Sequence, residues 1–391
     1  MKKASTPTKS SRDKRTKSAS TASGSKKVKE SANLSSDNFW RKFTRSWLRL
    51  SRWKKIVIII MALVIAFVGQ AYAIAYWYQK QHQDEKLTYG VTFISNYARY
   101  YDLDPKETML ALRDDLGFKR FRLVSYWKDI EKEPGKYDFS ELDWQFEKVN
   151  EVGGEVTLAI GLRQPRWPEC HAPDWVDPSN KEAWYPELKE FMSAVTERYK
   201  DNPALVSYQL ENEYLLGVFG ECKEFGSERE RLVDEFNLVK KIDPKTPIII
   251  SYANNYFGVA VSKPLADEVG VSVYKRVWDK TITKNYFEYP FPSWYYSWRA
   301  GQQQILTGRS SMLHELQAEP WPPGGVKEAS IEEQNKSMDA KRLKERISYG
   351  EATGFRDIDL WGGEWWYWRK VKFNDPSLWN TIKQEIPQEN Q

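Results

Sequence analysis

Metal-binding side chains are scarce in this sequence. It contains two cysteines, Cys170 and Cys222, and three histidines among 391 residues, and the histidines lack the spacing of a metal site. The sequence therefore predicts neither a metal ion nor another cofactor. Outside the cytoplasm the two cysteines could oxidise to a disulfide, and their positions leave both the paired and the free state open.

Large apolar side chains are nearly absent from residues 1–38, which consist mainly of serine, threonine and lysine. Such a segment cannot bury enough apolar surface to fold, so we expect a disordered tail. Residues 1–55 carry 17 lysines and arginines but only three acidic residues. Basic tails often bind nucleic acid, but the remainder of the chain is acidic, and we expect no nucleic-acid partner.

Charge is absent from residues 56–78, a run long enough to span a bilayer as a helix. Aromatic residues at both ends are typical of the membrane interface. A cleaved signal peptide is disfavoured, because the run is long and follows a long tail. The excess of basic residues before the run predicts a single-pass protein of the cell membrane, with a cytoplasmic N terminus and an extracellular C-terminal domain. We expect residues 39–55 to form a basic amphipathic segment on the inner leaflet or to bind a partner, and residues 79–86 to form a stalk.

No glycine-rich phosphate loop follows the first predicted strand, which argues against an open nucleotide-binding sheet. Instead, strand and helix patterns alternate through residues 87–391, and this alternation predicts a parallel sheet. Eight units in about 300 residues favour closure into a (β/α)8 barrel, the TIM-barrel class of α/β fold. Capping signals at Asp104, Ser227 and Ser330 mark helix starts. The predicted strands cover residues 87–94, 118–124, 156–162, 205–210, 247–252, 270–274, 312–315 and 355–361.

Two of these strands end in carboxylates. Residues 205–214 read LVSYQLENEY, an apolar strand that closes on Asn212 and Glu213, and residues 310–315 read SSMLHE and close on Glu315. The carboxyl ends of barrel strands form the catalytic face. If Glu213 ends the fourth strand, Glu315 ends the seventh, and the two face each other over the barrel mouth. Such a pair is the equipment for glycoside hydrolysis.

Five motifs resemble those of the clan A glycoside hydrolases, which are retaining (β/α)8 enzymes. They correspond to the second-strand signature, the fourth-strand acid/base, the sixth-strand tyrosine, the seventh-strand nucleophile and the eighth-strand tryptophan. The resemblance covers the whole predicted extracellular domain, roughly residues 87–380. The motifs lie at residues 122–139, 210–213, 273–274, 314–317 and 360–363.

The resemblance implies a role for each residue. Glu213 is the expected general acid and base, and Glu315 the expected nucleophile; Glu319, four residues on, is the alternative nucleophile. Asn212 would hydrogen-bond the sugar 2-hydroxyl. Two residues, Arg122 and Tyr274, would keep Glu315 charged and oriented. The other expected substrate-binding residues are Trp361, as the floor under the reacting sugar, Trp127 and His314.

The sequence thus predicts a membrane-anchored retaining β-glycosidase that hydrolyses an extracellular oligo- or polysaccharide by double displacement. One alternative is a transglycosylase that uses the same residues. Another is a catalytically inactive, carbohydrate-binding barrel tethered to the bilayer through residues 56–78. The sugar and its linkage depend on loop shapes that residue patterns do not specify.

Overall fold

The computed structural model of this chain describes residues 41, 44–216, 220–253 and 258–388. The predicted disordered tail, residues 1–38, and part of the predicted juxtamembrane segment, residues 39–55, lie outside the described residues. The chain divides into two compact units, Met1–Gly69 and Gln70–Gln391. The second unit contains the barrel.

The predicted membrane span, residues 56–78, falls within the helix Arg52–His82. By length and composition, this helix of 31 residues is apolar enough to cross a membrane. In its last turn Gln79 Nε2 donates a hydrogen bond of 2.8 Å to Ser297 Oγ. The predicted stalk, residues 79–86, is therefore helical in its first half and bonded to the rest of the second unit.

Eight parallel strands form a closed barrel, which confirms the predicted fold. The first strand closes the barrel against the last through the register Gly90↔Asp359. In chain order the barrel strands are β1 (Thr88–Thr92), β2 (Arg120–Val124), β3 (Glu155–Ile160), β4 (Leu205–Leu210), β5 (Ile248–Tyr252), β6 (Glu268–Val273), β9 (Ser310–Gln317) and β10 (Asp357–Trp361).

The interior of the barrel is polar, because strand alternation sends apolar side chains outward and polar ones inward. In β3, Leu158 packs in the apolar core, whereas the Thr157 hydroxyl lies 2.8 Å from Ser207 Oγ of β4. Nearer the mouth Arg122 and Glu315 form a buried salt bridge of 2.6 Å. This polar interior leads directly to the ends of β4 and β9, where the predicted carboxylates lie.

Helices surround the barrel, and two of the three predicted caps are present. Asp104 Oδ1 accepts the backbone N–H of Glu107 at 2.8 Å, and Ser330 Oγ accepts that of Glu333 at 3.2 Å. The helices are Ser95–Tyr100, Pro105–Leu110, Trp127–Ile130, Ser140–Asn150, Lys181–Tyr199, Arg229–Ile242, Ser293–Thr307, Ile331–Ser337, Ala340–Glu351, Gly363–Lys372 and Ser377–Glu385.

The predicted cap at Ser227 is wrong. The helix begins at Arg229, Glu228 occupies the N-cap position, and no side-chain hydrogen bond caps the first turn. The start is determined by tertiary contact, because the Glu228 carbonyl also accepts the Tyr214 hydroxyl at 2.8 Å. Tyr214 lies just beyond β4, so the loop that carries Glu213 also anchors the next helix.

A hairpin absent from the predicted elements extends from the barrel after β6. Its antiparallel strands are β7 (Arg276–Asp279) and β8 (Asn285–Glu288), with Trp278 paired with Tyr286. Trp278 also donates its backbone N–H to the carbonyl of Trp321 at 3.0 Å, which ties the hairpin to the loop after β9. Both strands are short and partly exposed, so apolar periodicity carries little signal for them.

Candidate active site

Glu213 follows β4 at the mouth of the barrel. Its backbone N–H donates to Ser251 Oγ of β5 at 3.0 Å, and its φ of 43° lies in the left-handed region that is uncommon for residues other than glycine. The side chain is buried. Burial and the charge of Glu315 raise the pKa of Glu213 from 4.5 to about 8. At neutral pH this carboxyl is therefore protonated and able to donate a proton.

Glu315 lies near the end of β9, two residues before Gln317. Arg122 Nη1 donates to one carboxylate oxygen at 2.6 Å, and the Tyr274 hydroxyl donates to the other at 2.8 Å. A guanidinium and a phenol directed at its two oxygens hold the carboxylate in a fixed orientation. The mouth thus holds one carboxyl suited to donate a proton and one carboxylate suited to attack.

Arg122 connects this carboxylate with the end of β4. Its Nη2 donates to Asn212 Oδ1 at 3.0 Å, and its Nε donates to Gln209 Oε1 at 2.7 Å. Gln209 Nε2 donates in turn to the same Asn212 oxygen at 2.9 Å. Because two donors converge on Oδ1, the amide orientation of Asn212 is determined, with its NH2 group available to acceptors.

Trp361 at the end of β10 lies beside this network, with the Arg122 guanidinium 6.0 Å from its ring centroid. Its Nε1 donates to Glu319 Oε1 at 2.8 Å. Glu319 also pairs with Arg166 at 2.7 Å, and the Arg166 guanidinium stacks 4.2 Å from the Trp361 ring. Glu319 thus holds the tryptophan and an arginine, whereas Glu315 contacts the arginine and tyrosine of the predicted nucleophile site.

Two predicted substrate-binding residues are fully buried. Trp127 is fully buried, and its Nε1 donates to Glu131 Oε2 at 2.6 Å. His314 is also fully buried, with Nδ1 3.2 Å from Asp359 Oδ2 in the barrel interior. Burial lowers the pKa of His314 to about 4, so the imidazole is neutral. These contacts are structural, and the sugar-binding roles of the two residues remain predictions.

The loop after β3 supplies residues that the sequence analysis does not single out. Arg166 reaches Glu319, and Glu169 Oε2 accepts a hydrogen bond of 2.9 Å from Asn212 Nδ2. The neighbouring Cys170 forms a disulfide with Cys222, which lies after β4. The sequence shows three charged residues, Arg163, Arg166 and Glu169, shortly before Cys170 and after β3. This pattern alone could not reveal their roles, because Glu319 and Asn212 are distant from them in the sequence.

Among the described residues, no group of three or more His, Cys, Asp or Glu side chains is arranged to hold a metal ion. The carboxylates at the mouth are bonded instead to arginine, tyrosine, tryptophan and asparagine side chains. The arrangement can transfer protons and form a covalent bond to a carboxylate oxygen.

A closed (β/α)8 barrel with acidic side chains at the ends of its fourth and seventh strands has the equipment of a glycoside hydrolase. Comparison with known proteins supports that enzyme class. Residues 107–229 match the family Glyco_hydro_42, described as Beta-galactosidase. The match covers less than a third of the chain; it includes Arg122, Asn212 and Glu213 and ends before Glu315.

Individual relatives also match over short stretches. The chain is 33% identical over 105 residues to Beta-galactosidase BbgII of Bifidobacterium bifidum. This match covers 22% of this chain and 15% of that protein. It is 25% identical over 146 residues to Beta-galactosidase BgaH of Haloferax lucentense. This second match covers 33% of this chain and 22% of that protein. The chain thus matches less than a quarter of the length of either relative.

Among solved structures, GH5_18 from Streptomyces cattleya in complex with GlcNAc has a TM-score of 0.49 and 13% sequence identity to this chain. The superposition covers 71% of this chain and 70% of that one.

Proposed function

We propose that this protein is a retaining β-glycosidase that acts by double displacement. The observation that carries the proposal is the contrast between the two carboxyl groups at the mouth. Burial and a neighbouring charge raise the pKa of Glu213 to about 8, whereas Glu315 accepts hydrogen bonds from Arg122 and Tyr274. A carboxyl group with a raised pKa beside a carboxylate held by two hydrogen-bond donors is suited to an acid and a nucleophile.

In the first step Glu315 attacks the anomeric carbon while Glu213 protonates the departing oxygen. The glycosidic C–O bond breaks, the leaving group departs as an alcohol, and the sugar becomes an ester of Glu315. In the second step Glu213, now ionised, takes a proton from water. The water oxygen bonds to the anomeric carbon and releases Glu315, which restores both groups and retains the β configuration.

Support for the substrate class comes from Trp361, Asn212 and the family match. The Trp361 side chain is 5% exposed, and its indole is a flat apolar ring of the kind that stacks on the C–H face of a sugar. The Asn212 NH2 group can donate to the 2-hydroxyl. Since residues 107–229 match a family described as Beta-galactosidase, a β-galactoside within an oligo- or polysaccharide is the first substrate to examine.

The purified protein is expected to release nitrophenol from one or more aryl β-glycosides, with the β-galactoside as the leading candidate. Proton NMR during turnover should detect the β-anomer of the free sugar before mutarotation yields the α-anomer. First appearance of the α-anomer would contradict retention. Binding of sugars without release would favour the inactive barrel, and a product extended by an added sugar would favour the transglycosylase.

We also propose that residues 56–78 anchor the barrel in the cell membrane, with the tail in the cytoplasm and the catalytic domain outside. The length and composition of Arg52–His82 support this, as do the 17 basic residues among the first 55. Protease added to intact cells should degrade the barrel and spare an N-terminal epitope tag. Protection of the barrel until the cells are lysed would refute this topology.

A further inference from the structure

A third carboxylate, Glu169, is buried beside the two proposed to react. It is 3% exposed, and its Oε2 accepts a hydrogen bond of 2.9 Å from Asn212 Nδ2. Arg163 Nε lies 3.4 Å from the same oxygen. Removing a carboxylate from water is costly, and an apolar side chain would fill the space at lower cost. Packing alone therefore does not account for an acid at this position.

The backbone around Glu169 is held on both sides. Its N–H donates to the carbonyl of Arg166, and its own carbonyl accepts the N–H of Gln164, each at 2.8 Å. The next residue, Cys170, is joined to Cys222 by the disulfide. These bonds confine the carboxylate to the space next to Asn212.

The loop after β4 closes over this side chain. The N–H of Glu221 donates to the carbonyl of Pro168 at 2.9 Å. Gly220 has a φ of 83°, and a Cβ atom there would lie 2.8 Å from the Cβ of Glu169. A glycine is therefore required for this approach on grounds of both conformation and space.

These contacts determine what the Asn212 amide can offer to a ligand. Its oxygen is occupied by Arg122 Nη2 and Gln209 Nε2, and one of its two N–H bonds is directed at Glu169. The two donors at the Asn212 oxygen and the Glu169 acceptor at its nitrogen all require the same orientation of the Asn212 amide. The second N–H is left for a substrate hydroxyl.

Building on the proposed glycosidase function, we propose that Glu169 is a positioning residue that holds Asn212 with its remaining N–H toward the 2-hydroxyl of the reacting sugar. Glu169 acts through Asn212 and contributes to catalysis because the 2-hydroxyl bond strengthens in the transition state. Without the acceptor, the amide would lose a constraint on its orientation, and the N–H would be directed less accurately.

The test compares an aryl β-glycoside with its 2-deoxy analogue in the full chain and in the variants Glu169→Ala, Asn212→Ala and the double variant. The wild type should prefer the 2-hydroxyl substrate in kcat/KM by about 100-fold or more. Glu169→Ala and Asn212→Ala should each remove most of this preference. The double variant should be no worse than Asn212→Ala, because residues acting through one contact are not additive. Glu190→Ala, at an exposed carboxylate of Lys181–Tyr199, is the matched control.

Glu169→Gln supplies a second readout that a purely structural role would not alter. Its side-chain oxygen can still accept from Asn212, so the 2-hydroxyl preference should stay within about threefold of the wild type. The variant lacks the charge of Glu169, which contributes after burial and Glu315 to the raised pKa of Glu213. The alkaline limb of its pH–activity profile should therefore move to lower pH. This variant also serves if Glu169→Ala does not fold.

The outcomes separate this inference from the function on which it rests. An active wild type together with a Glu169→Ala variant that keeps the full 2-hydroxyl preference would overturn the positioning role and leave the glycosidase function intact. Loss of the 2-hydroxyl preference in Glu169→Gln, whose amide oxygen can still accept from Asn212, would likewise count against it. A wild type that releases no sugar from any glycoside would reject the glycosidase function and this inference together.

Discussion

Glu315→Gly is expected to lower kcat/KM for aryl β-glycosides by about 10⁴-fold or more, since loss of a nucleophile commonly has an effect of this size. The carboxylate that bonds to the anomeric carbon would be missing, and neither Arg122 nor Tyr274 could replace it. Sodium azide should restore turnover by entering the vacated space, and the product should be the α-glycosyl azide. NMR of the product identifies its configuration.

The alternative nucleophile supplies the control for this experiment. Glu319 is bonded to Arg166 and to the Trp361 indole, so Glu319→Gly, which vacates the same volume as Glu315→Gly, should impair sugar binding more than bond cleavage. Its residual activity should not respond to azide. The opposite result would be that azide restores turnover of the Glu319 variant and gives the α-glycosyl azide, while Glu315→Gly retains activity. In that case Glu319 would be the nucleophile and the assignment of the two residues would be reversed.

Glu213→Ala is expected to reduce cleavage of substrates with poor leaving groups by about 10²- to 10⁴-fold, the usual contribution of a general acid. A dinitrophenyl glycoside needs little protonation of its leaving oxygen, so formation of its glycosyl-enzyme should be affected much less. Azide should then capture this intermediate as the β-glycosyl azide. A uniform loss across leaving groups would be inconsistent with an acid at this position.

The same residue should determine how activity depends on pH. A general acid functions only when protonated, and the pKa of Glu213 is raised from 4.5 to about 8. Activity should therefore be retained at neutral pH and lost as the pH rises through about 8. In Glu213→Gln the alkaline limb should disappear from the residual activity. A limb unchanged by the substitution would belong to another group.

The contrast between Glu213 and Glu315 results from two different strand ends. Glu213 turns out of β4 in a left-handed conformation into a site where burial dominates. Glu315 lies two residues before the end of its strand and accepts a hydrogen bond from Arg122, which comes from β2. The negative charge of Glu315 raises the pKa of Glu213 and so favours the protonated form of Glu213.

Local sequence patterns were sufficient for the barrel itself. Continuous apolar runs such as residues 156–162 are characteristic of strands buried on both faces, and all eight predicted strands are present. The patterns failed where tertiary contacts compete with local signals. The helix after β4 starts at Arg229 rather than at the Ser227 cap because the Glu228 carbonyl is held by Tyr214.

The order of apolar runs and carboxylates along the chain was enough to predict the barrel and to place Glu213 and Glu315 near the carboxyl ends of two of its strands. Strand periodicity is a short-range property, so it can be read from neighbouring residues. Only the tertiary structure decided that Glu169 meets Asn212 and that Glu319 is bonded to Arg166 and Trp361. It likewise decided that Trp127 and His314 are fully buried. Such contacts join residues on different strands, and their distances depend on how the closed barrel and its loops pack together.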